Sequence, residues 1–308
     1  MRPELCINTM PCVATIGVFD GVHTGHRYLI QQVKQVARQH RLASVLVTFT
    51  QHPARVLRPD VPMSLLTTSE EKDLLLQQTG VDHIVKLPFT HELSQLSAQE
   101  FMRQVLHDRL HVQVLVIGYD HRFGHGRTEG FEDYVRMGKE MGMEVVEASP
   151  LQGNLEGTSS SKIRKHLLAG NVEQANALLG YTYSLTGKVI DGFHVGRTIG
   201  FPTANLQPDD ADKLVPRNGV YAVSVQLENG TEAAGMLNIG FRPTLDNGTE
   251  RSIEVHLFDF HDNLYAQQLR IQFLHFIRQE QKFESLAALQ TQLRNDEQAC
   301  RSVMQAGS

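Results

Sequence analysis

Two rhythms of apolar residues run along this chain. In the first half, short β-branched runs at 13–18, 44–49, 83–87, 112–117 and 144–147 alternate with longer stretches of helical period at 27–40, 69–79, 98–110 and 131–141. The short runs are almost continuously apolar, as strands buried on both faces of a parallel sheet must be. Strand–helix alternation of this kind predicts a doubly wound α/β domain. Ligands of such domains sit outside the carboxyl ends of the strands. Two more helices are predicted at 161–168 and 172–179, with Gly170 as the C-cap of the first. Beyond Gly180 the rhythm changes to strands at 183–190, 219–227, 233–239, 252–260 and 269–276, with no helix between them. Asn229-Gly230 is a strong hairpin signal, and Asp246-Asn247-Gly248 and Asp262-Asn263 mark turns. This half reads as an antiparallel β-barrel. A C-terminal helix over 285–304, amphipathic through Leu286, Leu289 and Leu293, packs on it. The expected division is 1–180 and 181–308.

Composition narrows the function classes. The 308 residues suit two domains at about 150 residues each. The net charge is 29 − 34 = −5, so no global basic field draws nucleic acid and any anionic ligand is held by local groups. Cys6, Cys12 and Cys300 are odd in number and lack CxxC spacing. They predict a reducing compartment and neither a disulfide framework nor a zinc site. No signal pattern opens the chain, and the run at 13–19 is far short of the roughly 20 residues that span a bilayer. A bacterial-type cytoplasm is therefore expected, with no membrane and no nucleic-acid partner.

The candidate chemistry begins with Gly17-Val18-Phe19-Asp20-Gly21-Val22-His23-Thr24-Gly25-His26, which follows the first strand and opens the first helix. A helix start offers free N–H groups and the positive end of the dipole, which is an anion site. His23 and His26, three apart, share one helix face. Two imidazoles beside those N–H groups suit a polyphosphate whose charge shifts during nucleotidyl transfer. A metal site would need further ligands at standard spacing, and none is evident. Ser159-Ser160-Ser161 can cap a helix whose first turn carries Arg164, a guanidinium able to fork onto phosphate oxygens.

These segments resemble nucleotidylyltransferases, and with Phe19-Asp20-Gly21 they are similar to the FMN adenylyltransferase module of bacterial bifunctional FAD synthetases. The resemblance implies a Rossmann-like nucleotidylyltransferase domain, with Gly17, Phe19, Asp20, Gly25, Ser160 and Arg164 at the ATP phosphates. It implies catalytic roles for His23 and His26. Thr48-Phe49-Thr50-Gln51-His52-Pro53 matches a family loop that borders the flavin, placing His52 and Pro53 there. Gly118-Tyr119-Asp120-His121-Arg122-Phe123-Gly124 matches one that lines the nucleotide and flavin pocket, placing Asp120 and Phe123 there.

In the second half, the segment Gly187 to Asn205 carries glycines at 187, 192, 196 and 200 and ends in Pro202-Thr203-Ala204-Asn205. A loop closing over phosphates has this composition, with Gly196 a phosphate-contacting candidate. Thr203 and Asn205 are hard oxygen donors suited to Mg²⁺. The segment resembles the riboflavin kinase signature, and Gly219-Val220-Tyr221, Asn238 to Thr244 and Ile253-Glu254-Val255-His256-Leu257 match further family segments in order. The resemblance implies Thr203 and Asn205 at Mg²⁺ and ATP, Glu254 as the base for the riboflavin 5′-hydroxyl, and Arg278 near the flavin.

Four residues depart from the family pattern: His121 for an aromatic, Tyr181 for arginine, Ala266 for glycine and Leu245 for an aromatic. At Ala266 any positive-φ turn is harder to make. The implied function is riboflavin to FMN by Mg²⁺-ATP, then FMN to FAD with release of pyrophosphate. Rival readings are a chain with one activity lost, a flavin sensor without turnover, and an adenylyltransferase for another phosphate ester.

Overall fold

The computed structural model describes residues 10–118, 121–191, 199–243 and 249–306. Asp120 and Gly196, with the Asp246-Asn247-Gly248 turn and Cys6, lie outside these residues. Two compact units meet between Ser160 and Ser161.

The first unit is a five-stranded sheet of β1 (Cys12–Ile16), β2 (Ala43–Phe49), β3 (His83–Leu87), β4 (Val112–Ile117) and β5 (Glu144–Glu147). Its order is β3-β2-β1-β4-β5 and every pairing is parallel. The order reverses between β1 and β4, the crevice where doubly wound folds hold ligands. Successive side chains alternate across the sheet. Cys12, Ala14 and Ile16 enter one core with Phe101, Met102, Leu106, Tyr134 and Met137, while Val13 enters another with Val33 and Ala37. The helices α1 (Thr24–His40), α2 (Pro53–Leu57), α3 (Ser69–Gln77), α4 (His91–Gln95), α5 (Ala98–Phe101) and α6 (Phe131–Glu140) connect the strands. The helix expected at 98–110 is real but changes winding: Met102–His107 is a π-helix, with Asp108 N–H donating to the Arg103 carbonyl. The wider turn keeps Met102, Val105 and Leu106 buried together.

In the second unit, α7 (Ser160–Ala169) and α8 (Val172–Leu179) precede β6 (Ser184–Ile190), β7 (Ala204–Pro208), β8 (Gly219–Leu227), β9 (Glu232–Pro243), β10 (Thr249–Leu257) and β11 (Gln268–Arg278). These strands close an antiparallel barrel in the order β10-β7-β6-β11-β8-β9. The last helix is α9 (Leu286–Ala306). The helices α7 and α8 are bonded to the barrel: Arg217 N–H donates to the Leu167 carbonyl, and Asn176 Nδ2 to the Phe273 carbonyl. Packing therefore groups them with the second unit, while the apolar rhythm changes later, near Gly180. Gly170 caps α7 in a left-handed conformation as expected. Strand β7 is not among the strands the apolar rhythm predicts; it forms by pairing with β6 before it and with β10 some fifty residues on. Among the described residues, no helix is long and apolar enough to cross a membrane.

Ala266 has φ = +64° in the turn where its N–H donates to the Val189 carbonyl and Gln267 N–H to that of Leu264. Left-handed conformation costs a non-glycine residue about 1–3 kcal/mol, and glycine returns part of the gain as chain entropy. Ala266→Gly should therefore stabilise the barrel by about 1 kcal/mol, raising its calorimetric midpoint by about 2–4 °C.

Candidate active sites

In the first unit, β1 ends at Ile16, earlier than its apolar run suggests, because the backbone coils at once. Phe19 (φ +54°), Gly21 (φ +81°) and Val22 (φ +36°) all lie in the left-handed region. Such strain in non-glycine residues gathers where function fixes the backbone. Gly17 is required here, since a Cβ would meet the Phe19 ring at 2.9 Å. The turn is anchored from below by Asp20, whose buried carboxylate accepts from Leu66 N–H (3.0 Å), Thr67 N–H (3.1 Å) and Thr67 Oγ1 (3.2 Å). Ser160 Oγ donates to the Asp20 carbonyl at 2.9 Å.

The product of this coil is a histidine pair. His23 is the N-cap of α1, its Nδ1 accepting from His26 N–H at 3.3 Å, so its proton sits on Nε2. The two rings stack with centroids 3.6 Å apart and 16° between planes. The Phe19 ring meets His26 edge-on at 5.1 Å. Burial, then the neighbouring His23 and His121, hold the His26 pKa well below its usual value. Burial, then Arg127, push His121 down to about 4. Both are thus neutral at pH 7, and among the described residues His26 Nδ1 and His121 Nε2 are buried without a hydrogen-bond partner. Because the sheet is parallel, the segments after β1, β2 and β4 emerge at one edge. That edge carries the histidine pair, His52 and the 121–124 segment.

In the second unit, pairing register builds the other constellation. Glu254 on β10 stands opposite Asn205 on β7 and opposite Asn238 on β9. Directly paired residues share a face, so the carboxylate lies between two amides. Ile253, Val255 and Leu257 point the other way and are buried. Thr203 Oγ1 donates to Glu254 Oε2 at 3.2 Å. Thr203, Asn238 and Glu254 border a cavity of about 310 Å³ that is walled by Phe201, Phe283, Leu289 and Leu293. Arg278 and Asp296 also line it. Their fork is bidentate, Nε to Oδ1 at 2.8 Å and Nη2 to Oδ2 at 2.7 Å, with Asp296 only 2% exposed. It fastens α9 to the end of β11.

A family sequence model described as FAD synthetase matches residues 7–162, and one described as riboflavin kinase matches residues 179–304. The chain belongs to the bifunctional riboflavin kinase/FMN adenylyltransferase family. A Listeria monocytogenes member is 39% identical over 293 residues, covering 94% of this chain and 91% of its own. An Escherichia coli member is 36% identical over 290 residues, covering 94% and 92%. Among solved structures, a Streptococcus pneumoniae protein titled as a macrolide-efflux protein superposes with a TM-score of 0.87. It is 32% identical, covering 97% of this chain and 96% of that one. The two activities are thus riboflavin kinase and FMN adenylyltransferase, and the substrates are riboflavin, FMN and ATP.

Within that family assignment, the structure sorts the sequence candidates. It brings His23, His26, Gly25 and the Ser160 hydroxyl to one turn, and Thr203, Asn205 and Glu254 to one barrel face. Arg164 lies one helical turn beyond Ser160 on α7. Three candidates are engaged otherwise than expected. Asp20 spends its carboxylate on the 66–67 backbone, and so supports the turn from behind. Phe123 is core, stacked on Tyr134 at 4.5 Å, and Tyr134 Oη bonds both its N–H and its carbonyl. Arg278 is committed to Asp296. His52 caps α2, accepting from Ala54 N–H at 3.1 Å, with buried Pro53 at the first helical position. Asn238 and His256 line the cavity beside Glu254, and no local pattern in the sequence marks them. The one available signal was their place on the face of Glu254 once β9 and β10 are paired.

Two outcomes are expected. Asp296→Ala removes the bidentate partner of the part-buried Arg278 guanidinium, which keeps only the Gln279 carbonyl and the Phe283 ring; the cost is about 1–3 kcal/mol, the barrel's urea midpoint should fall and riboflavin phosphorylation weaken. The depressed histidines give a second. Folded His26 and His121 stay neutral while the unfolded chain takes up protons near pH 6.5. Stability is therefore full above about 6.5 and is lost as pH falls toward 4, at up to about 1.4 kcal/mol per pH unit for each histidine. His121→Phe should make urea-derived stability less steep between pH 6.5 and 5. An unchanged slope would contradict a neutral His121.

Proposed function

We propose that the barrel face carrying Glu254 performs the riboflavin kinase step and that the coil at the end of β1 performs the adenylylation. The observation that carries the first is the Thr203–Glu254 bond at 3.2 Å on the border of an apolar-walled cavity. Such a cavity suits a flat ring system, with a carboxylate set at its polar edge. Glu254 orients the riboflavin 5′-hydroxyl and accepts its proton late in the transfer, when the oxygen has become acidic. The Thr203 hydroxyl, donating to the same carboxylate, fixes its rotamer.

The oxygen-only donor set of Thr203 and Asn205 fits a hard divalent cation, for which Mg²⁺ is our assignment. Among the described residues no cluster of three His, Cys, Asp or Glu side chains could hold a metal by itself. An ion here would keep most of its coordination from water and phosphate oxygens. When bound, it would neutralise charge on the transferring phosphoryl group. Gly196 would contact the same phosphates.

For the second step, the phosphate of FMN attacks the α-phosphorus of ATP, and pyrophosphate leaves with both bonding electrons. The Nε2–H of His23, the N–H groups of the first turn of α1, and His26 stabilise the charge that moves onto the phosphate chain. Ser160 and Arg164 hold the outer phosphates, with Gly17, Phe19 and Gly25 shaping the turn. His52, Pro53 and Asp120 border the flavin. The buried thiols Cys12 and Cys300 suit a reducing cytoplasm as the working compartment.

Purified protein given riboflavin, ATP and MgCl₂ should yield FMN and FAD by chromatography. Glu254→Gln should lower FMN formation by about 10² or more while FMN is still converted to FAD. His26→Ala should do the reverse. With FMN supplied directly for the second step, loss of both activities in either variant contradicts separate sites.

A further inference from the structure

We propose that His256 is a positioning residue for phosphoryl transfer: it pins the carbonyl of Pro202 and so sets Thr203 against Glu254. The proposal rests on the assignment of the kinase step to Thr203 and Glu254. The segment that delivers Thr203 has little ladder of its own. Pairing of β7 with β10 comprises Asn205 with Glu254 and Ala204 with Val255. One step further, the same register places Thr203 opposite His256, and Pro202 has no N–H to give. Where the ladder ends, side chains take over. His256 Nδ1 lies 2.7 Å from the Pro202 carbonyl, Thr203 Oγ1 donates to Glu254, and Gln290 Nε2 of α9 donates to the Ile199 carbonyl at 3.0 Å. A carbonyl only accepts, so Nδ1 carries the imidazole proton.

The ring that donates this bond is itself held. Phe201 meets it edge-on at 5.3 Å and Phe258 at 6.0 Å. Phe258 is fixed by its N–H to the Ala234 carbonyl (2.8 Å) and by the Arg301 guanidinium 4.5 Å over its ring. His256 also lines the cavity on the face of Glu254. It therefore couples the packed outer wall of the barrel to the position of the Thr203 hydroxyl. Without the tether the barrel keeps its strands, but Thr203 is free to drift from the carboxylate. Misplacement of about 1 Å in such a group can cost 10²-fold in rate.

The test separates the bond from the ring. His256→Asn puts an amide N–H where Nδ1 stood and removes the ring. His256→Phe keeps a ring of similar shape and removes the donor. In steady-state assays, His256→Phe should lower riboflavin kinase kcat about tenfold or more, with a smaller change in KM for riboflavin, and His256→Asn should stay within about threefold of the parent. Calorimetric titration with ADP in MgCl₂ should show weaker binding for His256→Phe than for His256→Asn. FMN adenylylation should be unchanged in both, as a measure of intact protein. Parent-like turnover in His256→Phe, or equal impairment of the two variants, overturns the proposal. Glu254→Gln is run beside them: if it still makes FMN at the parent rate, the assignment of the kinase step fails instead.

Discussion

Strand alternation is the constraint on which both halves of this enzyme depend. A side chain on a strand has one of two directions, and the neighbour sends its own the opposite way. In the barrel, Ile253, Val255 and Leu257 must fill the interior. Glu254 and His256 are thereby forced onto the outer face, where Asn205, Asn238 and Thr203 meet them. In the sheet, the same rule divides Cys12, Ala14 and Ile16 from Val13 and seats a helical layer on each side. With both faces of the sheet covered, only its carboxyl edge is left to hold a ligand. The placement of the chemistry thus follows from the demand to bury carbon.

How much of this could be read without coordinates depended on how far apart the cooperating residues lie. The histidine turn was legible because its cause is local: a strand, a glycine-rich coil and a helix start within ten residues. The doubly wound sheet and the barrel were legible because apolar runs of different rhythm demand different layers. The β7 strand was not, since the stretch that leads into it has the composition of a loop and Ala204–Pro208 becomes a strand only by pairing with β6 on one side and, some fifty residues on, with β10 on the other. Asn238 and His256 were hidden for the same reason. Asp20 and Phe123 illustrate a different limit. Their positions within motifs were evident, but whether a carboxylate or a ring turns toward the ligand or into the support behind it depends on Thr67 and Tyr134, which no local pattern reveals.

The two sites manage charge in opposite ways. At the histidine turn, His26 is neutral and stacked on His23, and the helix start supplies the field. At the barrel, a carboxylate is kept at the edge of an apolar cavity, steadied by a neutral hydroxyl and flanked by neutral amides. Neither arrangement relies on the overall charge of −5, which would if anything repel ATP. Local groups do the work, at distances where the Coulomb term is large and little screened.

The fastening of α9 is graded along its length, and this gives the enzyme a direction of response to ionic strength. Near the cavity, the Arg278–Asp296 fork is largely sheltered, with the carboxylate 2% and the guanidinium side chain 19% exposed. Farther along, Arg301 holds Asp259, which is 79% exposed, at 2.8 Å. Dissolved salt screens the second and spares the first. Rising ionic strength therefore weakens the outer ion pair first and the fork beside the cavity last, while the apolar packing of Cys300, Val303 and Met304 is left unscreened.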